Sequence, residues 1–149
     1  MNLFQQGDGR LNGLEQLQSL IASGGRPPIG DTLDFALIEV SEGRAVFEGC
    51  PGPPAYNPLG VVHGGYAATL LDSACGSAVH ASLTAHQAYT TLELKVQFHR
   101  AITTETGTVR AEGKVVTLGR RVAFAEARLF DASGRLYASA SSTLLVFAR

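Results

Sequence analysis

The sequence has no tryptophan, one methionine and two cysteines, and only 17% of its 149 residues are charged. Cys50 and Cys75 are too few and too far apart for a zinc cluster or a disulfide framework. They are expected as reduced, buried small hydrophobes. Twelve lysines and arginines balance 13 acids to a net charge of -1, and the basic residues form no stripe, so nucleic acid is excluded as a partner. No apolar run approaches the roughly 18 to 20 residues that span a bilayer. Met1 to Gly13 is polar, without a charged-then-apolar signal pattern, so the expectation is a cytoplasmic protein with no membrane partner. A Gly-x-Ser-x-Gly elbow, a phosphate loop and a dinucleotide fingerprint are all missing. His80, His86 and His99 have no carboxylate or cysteine at ligand spacing, so no metal site is expected.

Against this background one stretch stands out, Asn57-Pro58-Leu59-Gly60-Val61-Val62-His63-Gly64-Gly65, running into the apolar segment Tyr66 to Thr84. Asp72 lies inside that segment and is the only Asp, Glu, Lys or Arg between Glu48 and Glu93. An ionised carboxylate withdrawn from water is costly unless it is hydrogen-bonded or faces a wet cavity, and such carboxylates are frequent bases and nucleophiles. The alternative is a helix-surface acid on a partly exposed face.

The chain is the length of one domain, with no Pro/Ser-rich linker. Leu11, Leu14, Leu17, Leu20 and Ile21 recur at helical spacing before Gly24-Gly25 and Pro27-Pro28, which predicts a short amphipathic helix over 11–23. Residues 34–40 and 44–48 flank Ser41-Glu42-Gly43 and predict a hairpin. From Gly65 to about Thr84 the pattern is apolar nearly all round, which predicts a buried central helix. Residues 91–100 alternate, with Leu92, Leu94, Val96 and Phe98 on one face and Thr91, Glu93, Lys95 and Gln97 on the other. Residues 107–116, 121–130 and 135–147 continue as strands joined by short turns, in meander order. The class is α+β, one antiparallel sheet wrapped around one long helix, with residues 1–30 a helical flank and 31–149 the domain proper.

Glycines at the start of a buried helix leave N–H groups free at its positive end, where an oxyanion can be held. Asn57 either orients a water or the substrate, or closes an Asx turn before Pro58. His63 is read as a loop-fixing residue in preference to a base.

Asn57-Pro58-x-Gly60-x-x-His63-Gly64-Gly65, Leu71-Asp72-x-Ala74-x-Gly76 and Thr90-Thr91-Leu92-x-Leu94-x-x-x-Phe98-x-Arg100 together resemble the hotdog-fold acyl-CoA thioesterases, specifically the phenylacetic acid degradation (PaaI-like) branch. The resemblance covers residues 33–147 and implies hydrolysis of a small or medium acyl-CoA, possible aryl groups included, with CoA as part of the substrate and no other cofactor. It implies a dimer with one continuous sheet, pairing into a homotetramer, with active sites at the dimer interface. By this likeness Asp72 is the base or nucleophile, the Gly64 amide polarises the thioester carbonyl with Gly65 beside it, Asn57 positions water or thioester, and His63 supports the loop. Thr91 matches a hydroxyl placed near the acid across the interface, and Gly76 stands where some relatives carry a hydroxyl residue. Arg100, Arg120 and Arg121 are the candidates for the CoA phosphates. Tyr66, Phe98 and residues 51–56 are candidate pocket walls. Two other readings remain open: a non-catalytic acyl-CoA binding or sensor protein, and a dehydratase or hydratase.

Overall fold

The computed structural model describes residues 9–149. Residues 1–8 lie outside it, and with them part of the 1–30 flank and of the polar stretch Met1 to Gly13.

A helix α1 (Gly13–Ala22) begins with a capping box, in which Asn12 Oδ1 accepts from the Glu15 N–H at 2.9 Å and Glu15 Oε2 accepts from the Asn12 N–H at 2.8 Å. Such a cap stabilises by about 1 kcal/mol. Leu17 and Leu20 form its buried stripe. A second helix, α2 (Pro28–Leu33), was not legible, because the Pro27-Pro28 pair reads as a stop; Pro28 instead occupies the first turn, where its missing N–H costs nothing.

The hairpin follows as β1 (Phe35–Ser41) and β2 (Arg44–Gly49). The central helix α3 (Gly64–His80) ends four residues before the expected Thr84. The chain turns there because the Leu83 N–H returns to the His80 carbonyl, and the Leu83 carbonyl in turn accepts from Gly13 at the start of α1. The strands β3 (Gln87–Phe98), β4 (Val109–Leu118), β5 (Val122–Asp131) and β6 (Leu136–Ala148) complete one six-stranded antiparallel sheet in the order β1-β2-β4-β5-β6-β3. The meander therefore holds for β4 to β6 only. β3 lies at the far edge against β6, and among the described residues no strand pairs with its other side.

The sheet curves around α3 because the facing side chains are small. Ala111, Ala123, Ala125, Ala127 and Ala138 are all buried beneath the helix, and its own Leu70, Leu71, Ala74, Cys75, Ala78 and Val79 are completely buried. Each leucine so buried contributes roughly 1.5–3 kcal/mol. At Gly113 the strand and helix backbones approach closely, since a Cβ there would overlap the Ala74 carbonyl. Cys75 belongs to this core as expected, burial pushing its thiol up to about 12, whereas Cys50 is exposed.

One strand departs from the alternation read in its sequence. Between Thr91 and Glu93 the pairing of β3 with β6 shifts by one residue. This β-bulge leaves Leu92 as the extra residue, 59% exposed, and reverses the faces before it. Thr91 lies opposite Leu144, Leu94 opposite Ser142 and Val96 opposite Ala140, all buried residues. Thr91 consequently shares the helix-facing side with Leu94, Val96 and Phe98.

Candidate active site

The segment before α3 is a clamp built from its own polar groups. Asn57 Oδ1 accepts from the N–H of Leu59 at 2.9 Å and of Val61 at 3.3 Å, while the Asn57 N–H donates to the Val61 carbonyl at 2.8 Å. Asn57 is thus the Asx-turn residue of the two sequence alternatives, and its amide Nδ2 has no hydrogen-bond partner among the described residues.

His63 caps α3, its Nδ1 accepting from the Gly65 N–H at 2.8 Å. The ring proton is therefore assigned to Nε2. This occupies the Gly65 amide. The Gly64 N–H, by contrast, meets no acceptor among the described residues. Gly64 itself lines a cavity of about 300 Å³ together with Val62, His63, Ala67, Phe98, Arg100 and Ile102. A Cβ at 64 would lie 3.0 Å from the Phe98 ring, so a side chain there requires the ring to shift. Tyr66 takes no part in this wall; it is buried, and its hydroxyl packs against Gly49.

Asp72 is half-buried, and its Oδ1 accepts from Thr91 Oγ1 at 3.0 Å. The bond is made within one chain, where the resemblance implied a hydroxyl across an interface. Asp72 Oδ2 has no hydrogen-bond partner among the described residues. The acid follows Gly64 by eight residues of the same helix, which separates them by about 12 Å along its axis. One carbonyl cannot touch both groups of a single chain.

The three arginines are also divided. Arg100 borders the cavity at the Gly64 end. Arg120 and Arg121 lie in the β4–β5 turn, the Arg121 carbonyl accepting from the Val146 N–H at 2.8 Å, roughly 30 Å along β6 from Tyr137, which bonds the Arg100 N–H. All three are exposed and form no ion pair among the described residues, whereas Arg44, Arg110 and Lys114 are paired with acids across the outer face of the sheet. Among the described residues no group of three or more His, Cys, Asp or Glu comes together at metal-binding distance, and no helix is long and apolar enough to cross a membrane.

A family model for the thioesterase superfamily matches residues 59–138, which spans the capped helix, Asp72, the edge strand, β4, β5 and the start of β6. No curated protein matches in sequence. Among solved structures, a thioesterase family protein from Silicibacter pomeroyi is 26% identical, with a TM-score of 0.78 over 89% of this chain and 96% of the other. A further protein from the thioesterase superfamily is 30% identical, with a TM-score of 0.72 over 89% of this chain and 97% of the other. A phenylacetic acid degradation-related protein from Ralstonia eutropha JMP134, described as a putative thioesterase, shares the fold at 24% identity, with a TM-score of 0.76 over 87% of this chain and 98% of the other.

Proposed function

The chain belongs to the thioesterase superfamily, with its hotdog fold, and from that premise we propose that it hydrolyses a small or medium acyl-CoA, aryl groups included, to the free acid and CoA. The observation that carries the reading is the Gly64 amide, unengaged among the described residues at the head of a buried helix, in a residue that lines a cavity shared with Arg100.

The thioester carbonyl lies against the Gly64 N–H, which together with the helix dipole stabilises the oxyanion as it forms. A water gives its proton to Asp72 Oδ2 while its oxygen attacks the carbonyl carbon. Collapse of the tetrahedral species breaks the C–S bond and expels CoA thiolate, a good leaving group that needs no strong acid. The alternative course has Asp72 attack directly, giving an anhydride that water then opens.

The 12 Å between Gly64 and Asp72 calls for a second copy. The free edge of β3 offers the place, because two such edges pairing antiparallel about a two-fold axis bring the Asp72 end of one protomer to the Gly64 end of its partner. The same operation brings Arg120 and Arg121 of the partner toward the cavity rim that holds Arg100. A homodimer, itself pairing into a tetramer, is the assembly proposed. Asn57 contributes through its remaining Nδ2, and His63 and Gly65 by holding the loop.

The test is a panel of acyl-CoA thioesters with free-thiol detection. Thiol release that disappears in Asp72→Asn supports hydrolysis. Tight CoA-thioester binding without thiol release supports the non-catalytic reading, and water addition to an enoyl-CoA supports the hydratase.

A further inference from the structure

Gly76 follows Asp72 by four residues, so the two share one face of α3. A side chain at 76 is excluded by a specific neighbour: a Cβ would stand 2.7 Å from the Tyr89 hydroxyl and 2.9 Å from its ring Cε2. Tyr89 and Thr91 are alternate residues of β3 before the bulge, opposite the buried Val146 and Leu144, so both face the helix. The strand thus lays two hydroxyls along one helix face, Thr91 on Asp72 and Tyr89 on Gly76 one turn further.

Their engagements differ. Thr91 is bonded to Asp72 Oδ1 at 3.0 Å. The Tyr89 hydroxyl meets no acceptor among the described residues, and neither does Asp72 Oδ2 meet a donor. Burial pushes the Tyr89 phenol up to about 12, with the Asp72 charge adding to it, so the group stays protonated and serves as a donor at neutral pH. Its ring is held by tilting against His80, centroids 5.8 Å apart, and His80 Nε2 is bound to Gln16 Oε1 at 2.8 Å.

We infer that Tyr89 is a further positioning residue of this site: its hydroxyl, seated over Gly76 one turn from Asp72, donates to the water that Asp72 Oδ2 deprotonates. The inference rests on the hydrolase reading and deepens it. One lone pair of the water accepts from Tyr89, one proton passes to Asp72, and the second lone pair forms the bond to the carbonyl carbon. Tyr89 keeps its proton throughout. Such an arrangement favours the water route over direct attack by the carboxylate, because it holds the nucleophile between two fixed groups.

The experiment compares wild type, Asp72→Asn and Tyr89→Phe on the acyl-CoA that the panel shows is hydrolysed fastest. Tyr89→Phe keeps the ring against His80 and removes only the hydroxyl; kcat is expected to fall about tenfold with KM changed less than about twofold. A second comparison moves the hydroxyl from strand to helix: Tyr89→Val/Gly76→Ser is expected to recover several-fold of the kcat lost in Tyr89→Val. Wild-type kcat in Tyr89→Phe overturns the inference, as does a fall in kcat that is matched by a fall in Tm and by a rise in KM. With wild type active and Asp72→Asn inactive, those outcomes remove Tyr89 alone. A wild-type chain that releases no thiol from any substrate removes the hydrolase reading and this inference with it.

Discussion

Thr91 Oγ1 donates to Asp72 Oδ1 at 3.0 Å, which ties the edge strand to the middle of the buried helix and fixes one oxygen of the only acid in that helix. The other oxygen meets no donor among the described residues. A hydroxyl bonded to a charged group contributes roughly 1.5–3 kcal/mol. Thr91→Val removes the donor at nearly constant shape, and kcat is expected to fall about ten- to a hundredfold, while Thr91→Ser retains most of it. Steady-state kinetics on the three proteins checks this, and equal rates in Thr91→Val and wild type would show that the bond is structural.

Asp72→Asn tests charge and basicity without disturbing that contact, since the amide oxygen still accepts from Thr91. The expected loss in kcat is on the order of 10²- to 10⁴-fold, with affinity for a non-hydrolysable thioether analogue changed less than about threefold. Calorimetric titration of the analogue beside single-turnover rates separates the two quantities.

Gly64 admits a more selective change than alanine. His63 has φ -59 and ψ 135, the extended conformation that tolerates a following proline, and the first turn of a helix accepts proline readily. Gly64→Pro therefore removes the free amide while keeping the helix start; the crowding falls on the Phe98 ring, which is 58% exposed and free to swing. A folded protein with kcat reduced about 10²- to 10³-fold is expected. Circular dichroism and thiol release report the two halves of that statement, and a well-folded variant with normal turnover removes the amide from the mechanism.

Much of this frame was legible before the fold was known. The isolation of Asp72 marked the one acid of the central helix, which is half-buried, and His63-Gly64-Gly65 marked the helix start, because both are local patterns. What stayed hidden depends on partners distant in sequence. The bulge at Leu92 leaves no trace in a strand that alternates on either side of it, so Thr91 was placed on the wrong face. The position of β3 beside β6 comes from closing the sheet around α3, which no short window records. Tyr89 was missed because the strand was expected to begin at Thr91; the available signal was the glycine four residues after Asp72. Arg100 and the Arg120-Arg121 pair were grouped by charge, and the topology sets them at opposite ends of one chain.

His80 links stability to pH. It is 4% exposed, and burial, with Arg149 adding repulsion, holds its imidazole down to about 4. An unfolded imidazole titrates near 6.5, so the folded chain favours the neutral ring. The stability from this difference is complete above about pH 6.5 and is lost progressively as pH falls toward 4, on the order of 3 kcal/mol. His80→Gln keeps a polar partner for Gln16 and cannot titrate. Urea midpoints measured from pH 7 to 4 are expected to fall more steeply in wild type than in that variant, and parallel slopes would assign the pH dependence to other groups.

The separation of about 12 Å between Gly64 and Asp72 on one helix leads to the most discriminating prediction. If each site takes its amide from one protomer and its acid from the partner, a chain carrying Gly64→Pro and a chain carrying Asp72→Asn are each inactive alone. Unfolded, mixed in equal amounts and refolded together, they form heterodimers in which one site joins the intact Gly64 of the Asp72→Asn chain to the intact Asp72 of the Gly64→Pro chain. Half the dimers are then mixed and half their sites are whole, so about a quarter of wild-type activity is expected to return. A site built within one chain gives no recovery at any mixing ratio. Val96→Lys, which places a charge on the helix-facing side of the free edge strand, is expected to yield monomers by sedimentation and to abolish both wild-type activity and the complementation, because without the partner the oxyanion holder and the base never meet on one carbonyl.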